Sequence, residues 1–348
     1  MTLHLALRTL AALSFAGVAT RPPLQAFAWD HQKAFTFLEA RQQEWADWKP
    51  AQSHGGACVS CHSGLSYLFA RQALGEKKRR PLESSLVQGV TSRLLANPPR
   101  PTLDVAGAEA VLNLLTLSFR RHGPTDPLDA ADRAALKSLW ESQVQEGPAK
   151  GSWEWVTSDL DPMDSVRATY YGAALAARAL SVYPAAAEPA PDRVDALRSY
   201  LKREAPKQPL HHRLAWIAFS ARNEEKAKSA VLKDLWAAQS GDGGWSTAAL
   251  GPWPAREKKP VDSGSNPYAT AWAAFTARES GVGCSDAGLK RAIDWLAQHQ
   301  DPATGAWNSV SMNKVHPKGS MPSKFMTDAA TGYAAAVLIG CAQNHHPN

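Results

Sequence analysis

The chain has 348 residues, of which 44% are hydrophobic and 20% are charged, and its formal net charge is +6. This is ordinary globular composition, which excludes a disordered tail and allows one large core or two domains. The modest positive charge does not indicate a nucleic-acid-binding protein.

Residues 1–28 predict a cleaved secretory signal. An apolar run follows Arg8, and an A-x-A sequence ends at Ala28, with cleavage after Ala19 as a second option. A buried N-terminal helix is the alternative, but the run is shorter than the ~20 residues that span a membrane. We therefore expect a soluble mature chain, 29–348, without a transmembrane span, in the periplasm or another exported space.

The rest of the chain predicts helices only. Its apolar residues recur at helical spacing, no run alternates long enough to propose a sheet, and prolines mark sharp breaks. Between the breaks the helices fall into about six hairpins of similar pattern, which indicates a repeat architecture. The predicted hairpins are 31–74, 82–120, 132–180, 192–222, 227–280 and 286–342.

The first hairpin, within 29–80, contains the sequence GGACVSCHSG, with Cys58, Cys61 and His62. C-x-x-C-H is the signature of covalent haem c attachment, in which both sulfurs form thioethers and the histidine binds the iron. A thioredoxin-type pair would need a βαβ context, and a zinc site would need further ligands. A local disulfide and a chance occurrence remain open alternatives.

Three later hairpins share a second pattern, in 136–155, 232–249 and 293–310. Each has a helix ending in Leu, Trp and Gln, then a Gly-rich turn and another Trp. The glycines allow a positive φ at the end of the helix, and we expect each Trp over the next helix start with its indole N–H bonded. The Ala-rich second helices allow close approach, as an inner ring requires.

The same register predicts where the first motif lies. C-x-x-C-H occupies the place in its hairpin that D-G-G-W occupies in the fifth. It should therefore open onto the same end of the molecule as the long loops at 147–165, 241–267 and 301–325.

The last hairpin contributes two predictions. Its ends carry Cys284 and Cys341, which an antiparallel hairpin brings together, so we expect a disulfide in an oxidising compartment, with two separate thiols as the alternative. Its loop adjoins the first hairpin in a closed ring. His316 and Met321 in that loop are therefore the candidates for a distal haem ligand.

The second pattern resembles a known family. QSGDGGW (239–245) is similar to the QW repeat of the terpenoid cyclase and protein prenyltransferase superfamily, and QDPATGAW (300–307) is a second copy. QVQEGPAKGSW is a degenerate third, and the resemblance covers the chain from about residue 82 to its end. It implies a single-domain α/α toroid with inner and outer rings of six helices.

The resemblance also suggests an acid site. Squalene-hopene cyclases protonate an alkene with an Asp-x-Asp-Asp cluster, and the nearest match here is Asp159, Asp161 and Asp164. The spacing departs from the family pattern, and such residues also serve as helix N-caps. The Asp, Cys and His zinc site of protein prenyltransferases has no apparent counterpart in the sequence.

These features predict an exported mono-haem c-type cytochrome-like protein that exchanges electrons with a redox partner protein. The alternative is a cyclase-like enzyme, or a binding protein, whose central cavity takes an apolar, isoprenoid-like small molecule. A third interpretation is a ligand-binding ring in which Cys58 and Cys61 form a local disulfide. Whether the protein is an enzyme stays open from the sequence.

Overall fold

A computed structural model describes residues 29–52, 57–75, 80–101, 105–184, 191–254 and 261–343, and the predicted signal at 1–28 lies outside them. Within these ranges the chain forms twelve α-helices and no β-strand. The helices are α1 His31–Asp47, α2 Gly64–Ala73, α3 Pro81–Leu94, α4 Ala106–Ser118, α5 Ala130–Glu141, α6 Thr169–Leu180, α7 Pro191–Glu204, α8 Leu210–Phe219, α9 Glu225–Ala237, α10 Pro267–Glu279, α11 Ala287–Gln298 and α12 Met321–Gln343.

The helices form six hairpins, which confirms the predicted α/α toroid. The even-numbered helices make the inner ring, where α12 contacts α2 and α10, α8 contacts α6 and α10, and α4 contacts α6. Phe69 of α2 meets Phe119 at the end of α4, with ring centroids 5.0 Å apart. The inner helix α4 is buried along almost its whole length, whereas the outer helix α11 buries one face.

Aromatic side chains fill the axis of the ring. The rings of Phe69 and Phe219, on opposite inner helices, are stacked with centroids 5.7 Å apart. The ring centroid of Trp272 on α10 lies 5.9 Å from that of Tyr171 on α6 and 4.9 Å from that of Tyr333 on α12. Side chains from opposite sides of the ring therefore touch, and at this level they occupy the space that a central ligand would need.

The repeat tryptophans anchor the hairpin turns. The indole N–H donates to a carbonyl in the last turn of the preceding outer helix, at 2.7 Å for Trp153, 2.9 Å for Trp245 and 2.8 Å for Trp307. The backbone N–H of Trp245 donates to Thr270 Oγ1 of the inner helix at 3.0 Å. The expected position over the next helix start thus holds for the backbone, while the indole binds the helix before the turn.

The repeat glutamines join neighbouring hairpins. Gln239 Nε2 donates to the carbonyl of Gly288 in the first turn of the next outer helix (2.9 Å), and Gln143 does the same for α7 (3.1 Å). Gln300 donates to the carbonyl of Asp30, just before α1, at 2.9 Å. The last repeat therefore closes the ring onto the first hairpin.

The far end of the last hairpin carries the predicted cysteine pair. The structure joins Cys284 and Cys341 in a disulfide, with Cα atoms 5.6 Å apart. Among the described residues, one helix, α12, is long and apolar enough to cross a membrane by length and composition. Because 78% of its most apolar 18-residue window is buried in the protein, it is accounted for as a core helix of the ring.

Candidate functional site

The C-x-x-C-H residues form a turn, 58–62, directly before α2, at the end of the ring where the inner helices begin. His62 lies beside Asp164 of the third hairpin's loop and beside Phe325 of α12. The turn thus shares its end of the ring with the long loops, where the repeat register places it.

Neighbouring helices hold the backbone of the 58–62 turn. The indole N–H of Trp45 on α1 donates to the carbonyl of Cys58 at 2.9 Å, and the Cys58 N–H donates to the carbonyl of Ala51 at 3.1 Å. From α3, Arg93 Nη1 donates to the carbonyl of Ala57 at 3.0 Å. The first and second hairpins together therefore fix the position of Cys58.

A buried ion pair supports the turn from below. Asp328 of α12 accepts from Arg41 Nε at 2.7 Å, from Arg41 Nη2 at 2.9 Å, and from Ser63 Oγ at 2.6 Å. Burial raises the pKa of Asp328, although Arg41 and Ser63 both act to lower it. Sequence reasoning missed this group, whose signal was a single carboxylate in an otherwise Ala-rich inner helix.

The two cysteines of the turn are free thiols held in the protonated form. Cys61 is buried and Cys58 is half-buried. Burial raises the pKa of Cys58 to about 11 and that of Cys61 well above its ordinary value, and the nearby Asp164 acts in the same direction on both. A redox-active or nucleophilic cysteine needs a lowered pKa, so this environment disfavours thioredoxin-type chemistry.

His62 is oriented by a carboxylate and an aromatic ring. Its Nδ1 lies 3.6 Å from Asp164 Oδ2, an electrostatic contact longer than a hydrogen bond, and its ring stacks on Phe325 with centroids 4.9 Å apart. A carboxylate near Nδ1 favours the tautomer protonated on that nitrogen, which leaves the Nε2 lone pair free. A metal-binding imidazole usually donates a hydrogen bond to a carboxylate or carbonyl from its second nitrogen, and Asp164 is a carboxylate in that position at a longer distance.

Arg93 is a second group that sequence reasoning did not single out. Its side chain is only 4% exposed, and its Nε and Nη2 atoms are buried without a hydrogen-bond partner. Burial lowers its pKa, and Glu109 is the nearest carboxylate, with Oε1 4.0 Å from Nε. A buried guanidinium with unused donors beside the turn provides a place for an anionic group.

The two candidate distal ligands lie in different surroundings. Met321 is buried in an apolar cluster with Trp45 against which Cys58 and Phe325 pack. Its sulfur accepts from Arg41 Nη2 at 3.0 Å. His316 lines a separate surface depression of about 180 Å³. The structure therefore brings Met321, and not His316, into the cluster around Cys58.

The structure separates the three aspartates of the third hairpin. Asp161 is buried and accepts from Arg167 Nη2 at 2.8 Å, and the exposed Asp159 binds the same guanidinium. An arginine partner favours the ionised carboxylate, the opposite of what a proton donor needs. Asp164 faces His62 instead, so these residues form no shared acid cluster and Asp164 belongs to the 58–62 turn.

The surroundings also bear on the other interpretations. In the part of the chain that the structure describes, no group of three or more His, Cys, Asp or Glu side chains could hold a metal ion. A cavity of about 830 Å³ opens at the same end of the ring between the fifth and sixth hairpins. Polar and apolar side chains both line it: the polar ones include Thr247, Asp262, Asn266, Asn308 and Thr327, and the apolar ones include Val261, Val310 and Met312.

The chain matches no family model and no curated protein sequence. Its fold is similar to a crystal structure described as a possible member of the GH105 family from Salmonella enterica subsp. enterica serovar Paratyphi A. The match has a TM-score of 0.54 and 11% sequence identity, and covers 97% of this chain and 100% of that chain. A likeness at this identity establishes the helical toroid and carries no function with it.

Proposed function

We propose that this chain is an exported mono-haem c-type cytochrome-like protein that exchanges electrons with a redox partner protein. Cys58 and Cys61 would hold the haem covalently, and His62 would be its proximal ligand. The observation that carries this proposal concerns His62, which shares its turn with two protonated thiols and has its Nδ1 placed against Asp164.

The residues around the 58–62 turn fit this group. Each thiol would add its sulfur to one carbon of a haem vinyl group and its proton to the other. Arg93 has the unused buried donors that a haem propionate needs. The rings of Trp45 and Phe325 offer apolar surface, and Met321 is the thioether nearest to the turn in this cluster. A bound haem supplies a one-electron carrier, and the chain supplies its attachment, orientation and electrostatic environment.

The packing of the ring favours this proposal over an apolar ligand in a central cavity. Phe69 and Phe219 touch across the axis, so a ligand there would have to displace buried aromatic rings. The ion pairs of Asp159 and Asp161 with Arg167 likewise argue against an acid-catalysed cyclisation. Electron transfer requires neither a central cavity nor a protonated carboxyl group.

The first test is whether the protein binds haem covalently. The full chain is produced with the cytochrome c maturation system, and a pyridine haemochrome spectrum and an intact mass are recorded. We expect one covalent haem in the native chain and none in the Cys58→Ser/Cys61→Ser variant. The matched control, Cys284→Ser/Cys341→Ser, removes the other cysteine pair and should keep the haem. A native chain without covalent haem contradicts the proposal.

The role of Asp164 is tested by the reduction potential of the haem-bearing protein. Asp164→Asn removes a negative charge beside His62, so it should destabilise the oxidised form and raise the potential. Asp159→Asn in the same loop is the matched control, because Asp159 is exposed and bound to Arg167. Equal shifts in the two variants would show that Asp164 has no special relation to the proximal histidine.

A further inference from the structure

The opposite end of the ring, where the inner helices end, contains a second cavity of about 260 Å³. Three arginines from successive inner elements line it: Arg178 on α6, Arg222 just after α8 and Arg278 on α10. The rings of Phe69 and Phe275, 5.1 Å apart, form part of its wall toward the filled axis. The cavity is therefore apolar toward the axis and strongly basic toward its mouth.

The positive charge of this cavity is not balanced by its own lining. Among the described residues that line it, Glu279 is the one carboxylate against three guanidinium groups. Arg178 Nη2 donates to the neutral Gln72 Oε1 at 2.9 Å, and Arg278 Nε is buried without a hydrogen-bond partner. The lining thus carries a net charge of about +2 and has donors that no protein group uses.

The folded chain holds these charges together at an energetic cost. Burial lowers the pKa of Arg178, Glu279 opposes that shift, and the positive charge of Arg222 lowers the pKa further. An arginine in the last turn of a helix does stabilise that helix by itself. Such an interaction needs only the carbonyls of its own helix, so it does not account for three side chains that converge on one concave surface.

We propose that this cavity binds a small oxyanion with two negative charges, borne by a phosphate or by a dicarboxylate. The forked donors of guanidinium groups match both kinds of oxyanion, and two negative charges would balance the lining. The volume lies below the range typical of sites for larger organic ligands, which favours a small anion. This site lies at the other end of the inner helices from the 58–62 turn and does not depend on haem.

Isothermal titration of the purified protein in a chloride buffer tests the proposal, with inorganic phosphate and succinate as the two probes. We expect one site per chain for at least one of them, and the relative affinities identify the kind of oxyanion. Arg178→Gln and Arg278→Gln should each weaken binding at least about tenfold, since each removes charge-assisted hydrogen bonds. Arg198→Gln, at an exposed position on α7, is the matched control and should leave the affinity unchanged.

A second variant separates loss of binding from loss of folding. Gly340 lines the cavity, and a Cβ atom there would meet no atom within 4 Å. Gly340→Leu should therefore fill the space, abolish binding and retain the native circular dichroism spectrum with all three arginines present. The proposal is overturned if neither anion binds, or if the affinity is the same in the native chain, Arg178→Gln and Arg278→Gln.

Discussion

The repeat turns and the 58–62 turn occupy the same place in their hairpins, but they are held in opposite ways. In the repeats the turn supplies a tryptophan, and the indole of Trp245 donates back to the outer helix. In the first hairpin the outer helix supplies Trp45, which donates to the carbonyl of Cys58. The reversed bond closes the hairpin through the backbone of the turn, so the side chains of Cys58, Cys61 and His62 take no part in this bond.

The two kinds of turn also differ in what lies beneath them. The Trp245 turn is supported by a threonine hydroxyl and by backbone carbonyls. The 58–62 turn is supported by the ion pair of Arg41 with Asp328, which lies at the closure between the first and last hairpins. A buried ion pair is weak evidence for stability. Its place beside Ser63 is consistent with a role in positioning the turn.

The largest expected effect is on the repeat anchor. Trp245→Ala should lower the free energy of unfolding by about 3–5 kcal/mol, because a fully buried indole and its hydrogen bond are lost. Urea unfolding followed by circular dichroism measures this. The comparison variant is Trp48→Ala, at a half-buried tryptophan beside the 58–62 turn. It should lower the free energy of unfolding by less. Equal costs would contradict the anchoring role of the repeat tryptophans.

A third kind of hairpin sharpens the comparison. The fourth has neither turn, and its inner helix begins with the fully buried His211 and His212. Burial lowers the pKa of His212 to about 4, below the ordinary 6.5. The unfolded chain binds a proton that the folded chain excludes, so stability should fall as the pH drops from about 6.5 to 4, by up to ~3 kcal/mol from this residue.

Denaturant unfolding at several pH values measures that slope. His212→Gln should reduce it, and the buried His211, whose pKa burial also lowers, should account for a remaining part. His122→Gln, at an exposed position, should leave the slope unchanged. An unchanged slope in His212→Gln would show that other groups, and not this buried histidine, control the acid sensitivity of the ring.

A matched pair of glycines on α12 tests the closure beside the 58–62 turn. A Cβ atom at Gly332 would lie 2.5 Å from Ser66 Cβ of α2, whereas at Gly340 it would meet nothing within 4 Å. Gly332→Ala should therefore lower the free energy of unfolding by about 1–3 kcal/mol. Gly340→Ala should raise it by up to ~1 kcal/mol through helix propensity. Thermal unfolding that shows stabilisation in both variants would contradict this close approach.

The fold could be predicted from the sequence because its signals are local. Prolines, Ala-rich second helices and repeated Gly-rich turns mark the hairpins, and the observed helices fall within a few residues of the predicted bounds. The repeat register also predicted that the C-x-x-C-H turn lies at the end of the ring that carries the long loops. Each of these inferences needs only neighbours along the chain.

The support of the candidate site could not be predicted in the same way. Arg41 and Asp328 are 287 residues apart, and no local pattern pairs them. Asp164 is one of three closely spaced aspartates in the sequence. Their spacing does not show that the other two bind Arg167 while Asp164 contacts His62. The direction of the tryptophan indoles was not predicted for a similar reason, since a Trp after a turn can reach either helix.

The smallest predicted effect compares the two tryptophan hydrogen bonds directly. Trp45→Phe and Trp245→Phe each remove one indole N–H and keep most of the buried ring, so each should cost about 1 kcal/mol for the lost bond. Each variant is combined with Cys58→Ala/Cys61→Ala, and unfolding free energies are measured for the resulting double-mutant cycles.

The Trp245 cycle should be additive within about 0.5 kcal/mol, because its partners are remote from the turn. The Trp45 cycle should deviate by more, because its acceptor is the backbone carbonyl of Cys58, one of the two substituted residues. Additivity in both cycles would mean that the cysteine side chains of the 58–62 turn do not affect the Trp45 hydrogen bond.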